Sequence, residues 1–304
     1  MPSFDVEKFC LDHHILTHPA GSKNVPSGCV GISCPFCGDS SNHMHFRLGT
    51  FAVKCWRCGK HRVVDAVGSL LRVPEAEARN IVARYVSDVS APLQPAQPRV
   101  AAEAVKWPGG TGTLMEIHQR YLLDRLFDPF KIEREWGVRG TNHIDPNYKF
   151  RLIAPILFNH QIISYQARDV TGQQIPKYRA CPPEHEVMSH KDVLYGYDKA
   201  IGSSIVIVEG ITDVWRLGAG AVATFGTKWT TAQALQIVQH PSLNRVFVLF
   251  DPDEAGQLGG TELYHFLRGF MENVELLQLE GFSDPGSMPQ SEARYLMIKE
   301  LHIK

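Results

Sequence analysis

Beyond residue 203 this 304-residue chain alternates short apolar runs with helical segments, and that alternation restricts its possible folds more than any other feature. Strand candidates are 205–208, 221–224, 246–250 and 274–279; helix candidates are 212–218, 231–239 and 255–270. A βαβαβαβ order implies a mainly parallel sheet with helices on both faces, since parallel strands need long crossover connections. Two of the runs stop at acids. Ile205-Val206-Ile207-Val208 closes on Glu209-Gly210, and Val246-Phe247-Val248-Leu249-Phe250 closes on Asp251-Pro252-Asp253.

Open α/β sheets bind ligands at the carboxyl ends of their strands. Glu209, Asp251 and Asp253, with Asp213 one helical turn past Glu209, supply the hard oxygen ligands that Mg²⁺ prefers. Carboxylates after strands also cap helices, and Thr212, Asp251 or Asp253 could each do so. Capping needs one acid per helix start, whereas Asp-x-Asp sends two from a single turn. Gly210 and Gly256 would let a ligand approach the backbone closely. Together these features point to phosphoryl-transfer chemistry.

Cys34-Pro35-Phe36-Cys37 and Cys55-Trp56-Arg57-Cys58 form two Cys-x₂-Cys knuckles separated by 17 residues, which suits one tetrahedral Zn²⁺. The four-thiolate shell is closed, so the zinc is expected to be structural, and His43, His45 and His61 find no vacancy in it. Between the knuckles, 45–48 and 51–54 alternate across a Gly49-Thr50 turn, a ribbon hairpin. Such a ribbon is a folding staple for a small module. It is equally a candidate surface for single-stranded nucleic acid through His45, Arg47, Lys54 and Trp56, with rings stacking on bases and cations reaching phosphates.

Seven cysteines, an odd number, argue for metal binding rather than a disulfide framework. No signal-peptide pattern or membrane-length apolar run occurs, so a cytoplasmic protein without membrane contact is expected. The net charge of −1 divides unevenly. Residues 201–304 carry 7 Lys+Arg against 12 Asp+Glu, while residues 106–200 carry 13 against 11. An acidic last third suits a metal-binding module and the slightly basic remainder a polyanion. Three prolines within residues 90–98 mark a semi-extended linker. The expected organisation is a zinc ribbon over 1–88, a linker over 89–105, an α+β segment over 106–202 and the parallel α/β sheet with a final helix over 203–304.

Glu209-Gly210-Ile211-Thr212-Asp213, Ala223-Thr224-Phe225-Gly226-Thr227 and Asp251-Pro252-Asp253-Glu254-Ala255-Gly256 resemble the TOPRIM fold of bacterial-type primases, topoisomerases and some nucleases. Preceding segments resemble primases in particular. Phe150-Arg151-Leu152-Ile153-Ala154-Pro155-Ile156 is similar to the strand carrying an arginine ahead of a proline. Ser164 to Arg168 resembles the GFGGR run, Pro176 to Pro182 the PKYLNSP run, and Lys191 to Gly196 the K-x-x-LYG run. A Cys₄ ribbon in front completes the order of bacteriophage and bacterial primases.

The resemblance implies a DNA primase that makes short RNA primers on single-stranded DNA from ribonucleoside triphosphates. It implies Glu209, Asp213, Asp251 and Asp253 as holders of Mg²⁺ or Mn²⁺, and Lys177 as a member of the catalytic set with Glu209, Asp251 and Asp253. Arg151, Arg168 and Lys191 would line the adjoining groove. No Gly-x₄-Gly-Lys-Ser/Thr loop occurs, so the helicase partner would be separate. Two departures stand out: Pro252 replaces a common glycine, and Asp284-Pro285-Gly286-Ser287 lacks an acidic pair, which removes the family argument for a further ligand there. The competing readings are a TOPRIM-containing DNA-binding recombination or repair mediator and a TOPRIM nuclease.

Overall fold

A computed structural model describes residues 2–88, 102–200 and 202–303, which leaves the proline-rich segment 90–98 outside the described residues. The chain forms two compact units, one of residues 1–94, 234–245 and 262–274, the other of residues 95–233, 246–261 and 275–304.

The first unit begins with β1 (Pro2–Phe4), α1 (Val6–Asp12), β2 (Cys29–Ile32), β3 (Met44–Arg47), β4 (Val53–Cys55) and β5 (Gly59–His61). It continues with α2 (Val63–Leu71), α3 (Glu75–Arg84) and β6 (Val86–Asp88). Strands β2-β3-β4-β5 make an antiparallel sheet in which His45 faces Lys54 and Lys54 faces Lys60. Asp5 caps α1 by accepting the Lys8 N–H at 3.0 Å. The small core is aromatic: the Phe4 ring lies 5.3 Å from Phe9 and 6.0 Å from Phe46, and Phe9 meets Tyr85 edge-on. Ala78, Ile81 and Val82 line the buried stripe of α3 that their helical spacing predicts.

The second unit opens with β7 (Thr111–Gly112), α4 (Glu116–Asp124), α5 (Pro129–Trp136), β8 (Arg139–Thr141), β9 (Arg151–Phe158), β10 (Gln161–Asp169) and β11 (Tyr178–Ala180). Asp128 caps α5, Pro129 occupies its first turn and Gly137 ends it in the left-handed region, each residue where helix chemistry favours it. These strands form one sheet in the order β11-β10-β9-β8-β7. Its hairpin turns at Asn159-His160, both at positive φ (51° and 62°), as a two-residue primed turn requires.

The α/β part comprises β12 (Ser204–Val208), α6 (Ile211–Leu217), β13 (Ala221–Ala223), α7 (Thr231–Val238), β14 (Arg245–Val248), α8 (Glu254–Arg268), β15 (Asn273–Leu276) and α9 (Gln290–Tyr295). The strand order is β13-β12-β14-β15, and β12 and β13 run parallel. Ile205 to Val208 are all buried, which explains an unbroken apolar run instead of an alternating one. The core of this unit joins residues of both sheets, including Leu152, Ala154, Ile156, Val206, Val208, Phe247 and Leu249. Among the described residues no helix is long and apolar enough to cross a membrane.

Candidate functional site

Where β12 runs out, Glu209 and Gly210 lead directly into α6, and Asp213 stands in the first turn of that helix. Asp213 is almost fully buried, and both its oxygens accept backbone N–H groups: Oδ2 from Gly210 at 2.8 Å and Oδ1 from Gly286 at 3.0 Å. It therefore caps its own helix and ties down the loop that carries Asp284. Glu209 reaches across to the neighbouring strand end, its Oε1 accepting the Asp251 N–H at 2.9 Å.

Glu209, Asp213, Asp251 and Asp284 line one cleft of about 240 Å³ together with Arg125, Gln166, Arg168, Lys177, Tyr178, Gly210, Thr212, Phe225 and Gly226. Gly256 closes the acidic end, since a Cβ there would lie 2.6 Å from Glu209 Oε1. Phe225 enters the cleft wall at φ +64°, a conformation uncommon outside glycine that clusters at functional sites.

Burial raises the acids, and crowding adds to it. Asp213 is pushed up to about 7, by burial first and then by the Asp284 charge. Asp251 is pushed up to about 8, by burial first and then by Glu209, Asp213, Asp284 and Asp253. Glu209 rises for the same leading reason. Buried oxygens Oδ1 of Asp251 and Oδ1 of Asp284 have no hydrogen-bond partner. Mutual repulsion and unsatisfied acceptors give these acids an affinity for positive charge, but among the described residues only the four ribbon cysteines bring their ligand atoms within 4.8 Å of one another.

The same cleft is also lined by the cations Arg125, Arg168 and Lys177. Arg168 lies 4.4 Å over the Tyr178 ring and 5.8 Å from Tyr121, and its buried Nε has no partner. The ammonium of Lys177 is held below its ordinary pKa, first by the Arg168 charge, then by burial, then by Arg125.

Four of the residues singled out from sequence stand differently from expectation. Arg151 is only 1% exposed and does not line the cleft; its guanidinium donates to Pro176 O at 2.9 Å and Lys177 O at 3.2 Å. It holds the backbone of Lys177 instead of facing a ligand. Lys191 is also absent from the cleft wall, its carbonyl accepting the Thr230 hydroxyl at 2.7 Å. Asp253 is exposed and accepts the Gly256 N–H at 2.7 Å, capping α8 rather than lining the cleft. Asp284, set aside from sequence because no acidic pair follows it, is a cleft residue. Arg125 had no sequence signal, because a basic residue after a helix is common on dipole grounds alone.

In the first unit Cys34, Cys37, Cys55 and Cys58 bring their sulfurs within 4.8 Å of one another. Two of these separations are 3.6 Å (Cys34–Cys58) and 3.9 Å (Cys37–Cys55). Metal–sulfur bonds of about 2.3 Å in a tetrahedron place sulfurs roughly 3.8 Å apart, so the cluster fits one ion. Buried Asp39 organises the surrounding loop, accepting the N–H groups of Ser41 and His43, the His43 ring and Arg57. The exposed Trp56 ring lies tilted against His45 (5.5 Å) and under the Lys54 ammonium (4.8 Å). His45 itself is buried with an unpartnered Nδ1, while Arg47 is exposed.

A larger cavity of about 600 Å³, lined by Trp107, Trp136, Pro155 and Leu157 among others, gathers no acidic cluster.

This pairing of a four-cysteine ribbon with an α/β sheet is the fold of primase zinc-binding and RNA polymerase domains. The Aquifex aeolicus primase structure containing those two domains superposes with a TM-score of 0.50 at 19% identity, covering 97% of this chain and 85% of that one. The primase fragment of the bacteriophage T7 primase-helicase protein aligns with a TM-score of 0.48 at 14% identity, over 90% of this chain and 98% of that chain. In sequence, a DNA primase of Borreliella burgdorferi is 28% identical over 152 residues, which is 47% of this chain and 28% of that protein. The chain thus spans little more than a quarter of that relative's length. No protein-family model matches.

Proposed function

We propose that the chain is a DNA primase, synthesising short RNA primers on single-stranded DNA by divalent-metal-dependent nucleotidyl transfer. The observation that carries the reading is one cleft lined both by acids, with unpartnered oxygens on Asp251 and Asp284, and by the cations Arg168 and Lys177. The fold shared with primase domains and the partial sequence likeness to a primase support it.

Glu209, Asp251, Asp213 and Asp284 would hold Mg²⁺ or Mn²⁺, with Asp253 close enough to add its charge. When bound, such ions lower the pKa of an attacking hydroxyl and stabilise a leaving pyrophosphate oxygen. Glu209 fixes the strand end bearing Asp251, and Asp213 fixes the loop bearing Asp284, so the donors are set before a ligand arrives. Arg168 and Lys177 neutralise triphosphate or template phosphates, and Arg151 holds the Lys177 backbone to that task. The ribbon carries one structural Zn²⁺ and offers Arg47, Lys54 and Trp56 to the template, with His45 beneath them. A separate replicative helicase and a cytoplasmic setting, in a host cell if the chain is phage-encoded, complete the reading.

The test is incubation with varied single-stranded DNA templates, ribonucleoside triphosphates and Mg²⁺ or Mn²⁺. Short oligoribonucleotides are expected, and Asp251→Ala should abolish them with zinc content unchanged. Folded, zinc-loaded protein that makes no oligoribonucleotide on any template overturns the proposal.

A further inference from the structure

Arg216 is a guanidinium buried to 1% exposure, and no salt bridge among the described residues includes it. A buried charge without a counter-ion is costly unless all its donors are used. Its donors go to main-chain oxygens and one amide. Nη2 donates to Arg125 O at 2.6 Å, Nη1 to Leu126 O at 3.1 Å and to Gln290 Oε1 at 3.5 Å, and Nε and Nη2 both to Gly286 O at 3.3 Å. The Phe127 ring lies 4.1 Å beneath it. The main-chain acceptors lie in the turn after α4 and in the Asp284 loop, so one guanidinium holds together the two segments that bring Arg125 and Asp284 to the cleft.

The α4 end is unusual in its own right. Leu126 sits at φ +59°, a conformation that costs a branched side chain about 1 kcal/mol or more. The turn it makes presents Arg125 to the cleft, where Arg125 and Arg168 lie 6.0 and 5.8 Å from the centre of the Tyr121 ring. Arg125 Nε is buried without a partner, as Arg168 Nε is. Two guanidinium groups with unused N–H donors, lining the same cleft as Lys177 and four acids, form a socket for a multiply charged anion. Resting on the primase reading, we propose that Arg125 grips the polyphosphate of the incoming nucleotide and that Arg216 is the residue that positions it.

Arg216 therefore acts through geometry: it never meets the nucleotide. Since Gly286 N–H also holds Asp213, the same side chain ties the Arg125 turn to the loop that carries Asp284 and is anchored on Asp213.

The proposal is tested with the full-length, zinc-loaded protein, measuring initial primer-synthesis rates against ribonucleotide concentration. Arg125→Gln should raise KM by tenfold or more, the worth of a hydrogen bond to a charged group, with kcat within about threefold. Arg125→Lys should recover most of that loss. Arg216→Gln should raise KM comparably, and the double variant should match the single ones, because both remove one interaction. Should Arg216→Gln fold poorly, Gln290→Ala loosens the same guanidinium without stranding a charge, and should raise KM only when Arg125 is present. Unchanged KM in Arg125→Gln, or multiplying effects in the double variant, overturns the inference. If the wild type makes no primer, the primase reading fails by itself, and inorganic tripolyphosphate binding decides the socket. Binding lost in Arg125→Gln upholds the socket; equal or absent binding in the wild type refutes it.

Discussion

His118 makes an acid-sensitive joint at the start of α4, the helix whose far end carries Arg125. It is fully buried, and its Nδ1 accepts the Met115 N–H at 3.1 Å. Burial lowers its pKa from 6.5 to about 4. The unfolded chain therefore takes up this proton first as pH falls. The associated stability is complete above about pH 6.5, is lost on the way down to about pH 4, and is bounded by about 3 kcal/mol at roughly 1.4 kcal/mol per pH unit. Between pH 7.5 and 5.0 the expected loss is about 2 kcal/mol. Other groups titrate in this window, so the assay is a comparison: urea unfolding of wild type and His118→Gln at both pH values. Gln can offer an acceptor oxygen to the same N–H but cannot gain the proton. The variant should lose about 2 kcal/mol less than the wild type between the two pH values. Parallel pH dependences in the two proteins would refute the assignment of a buried neutral imidazole.

Further outcomes follow from the two sites. Cys58→Ser should reduce zinc below the one equivalent per chain measured by atomic absorption, and chelation should melt far-ultraviolet structure of the ribbon while leaving the α/β sheet. Asp251→Asn, which removes one member of the crowded acid set, should raise the melting temperature of metal-free protein near neutral pH and erase the upward shift given by Mn²⁺ in the wild type. Arg151→Met strands the Pro176 and Lys177 carbonyls; it should cost about 2–4 kcal/mol by urea unfolding and weaken nucleotide use more than Lys191→Met does. Lys54→Ala with Trp56→Ala should change which template positions are primed, read by sequencing the products, while elongation of a supplied primer stays within about twofold.

The sequence was most informative where structure is local. Two short knuckles and a glycine turn are enough to specify a metal ribbon, and apolar runs ending in acids located β12 and β14 with Glu209 and Asp251 after them. Helices α6, α7 and α8 lie within a few residues of their predicted ends. What escaped depends on tertiary placement. Arg151 and Arg168 both stand on strands of the antiparallel sheet, yet one reaches carbonyls and the other the cleft. Arg151 pairs with Asp169 and Arg168 with Leu152, so the two side chains leave opposite faces, a register that only strand pairing sets. Asp253 belongs to a promising pair, but helix geometry claims it as a cap. Asp284 enters the cleft because its loop is tied to Asp213, a bond spanning 73 positions that no local pattern can encode.

Gly256 gives the acidic end its tolerance. A single added carbon would stand 2.4 Å from Asp251 O and 2.6 Å from Glu209 Oε1, so the smallest side chain available acts as a wedge between the two strand ends. The spacing of the acids is thus gauged by a hydrogen atom, and a residue with no reactive group polices it. Mutational drift across this chain should find Gly256 as unforgiving as Asp251 for activity, although nothing in its chemistry would mark it for a search based on nucleophiles, bases or charges.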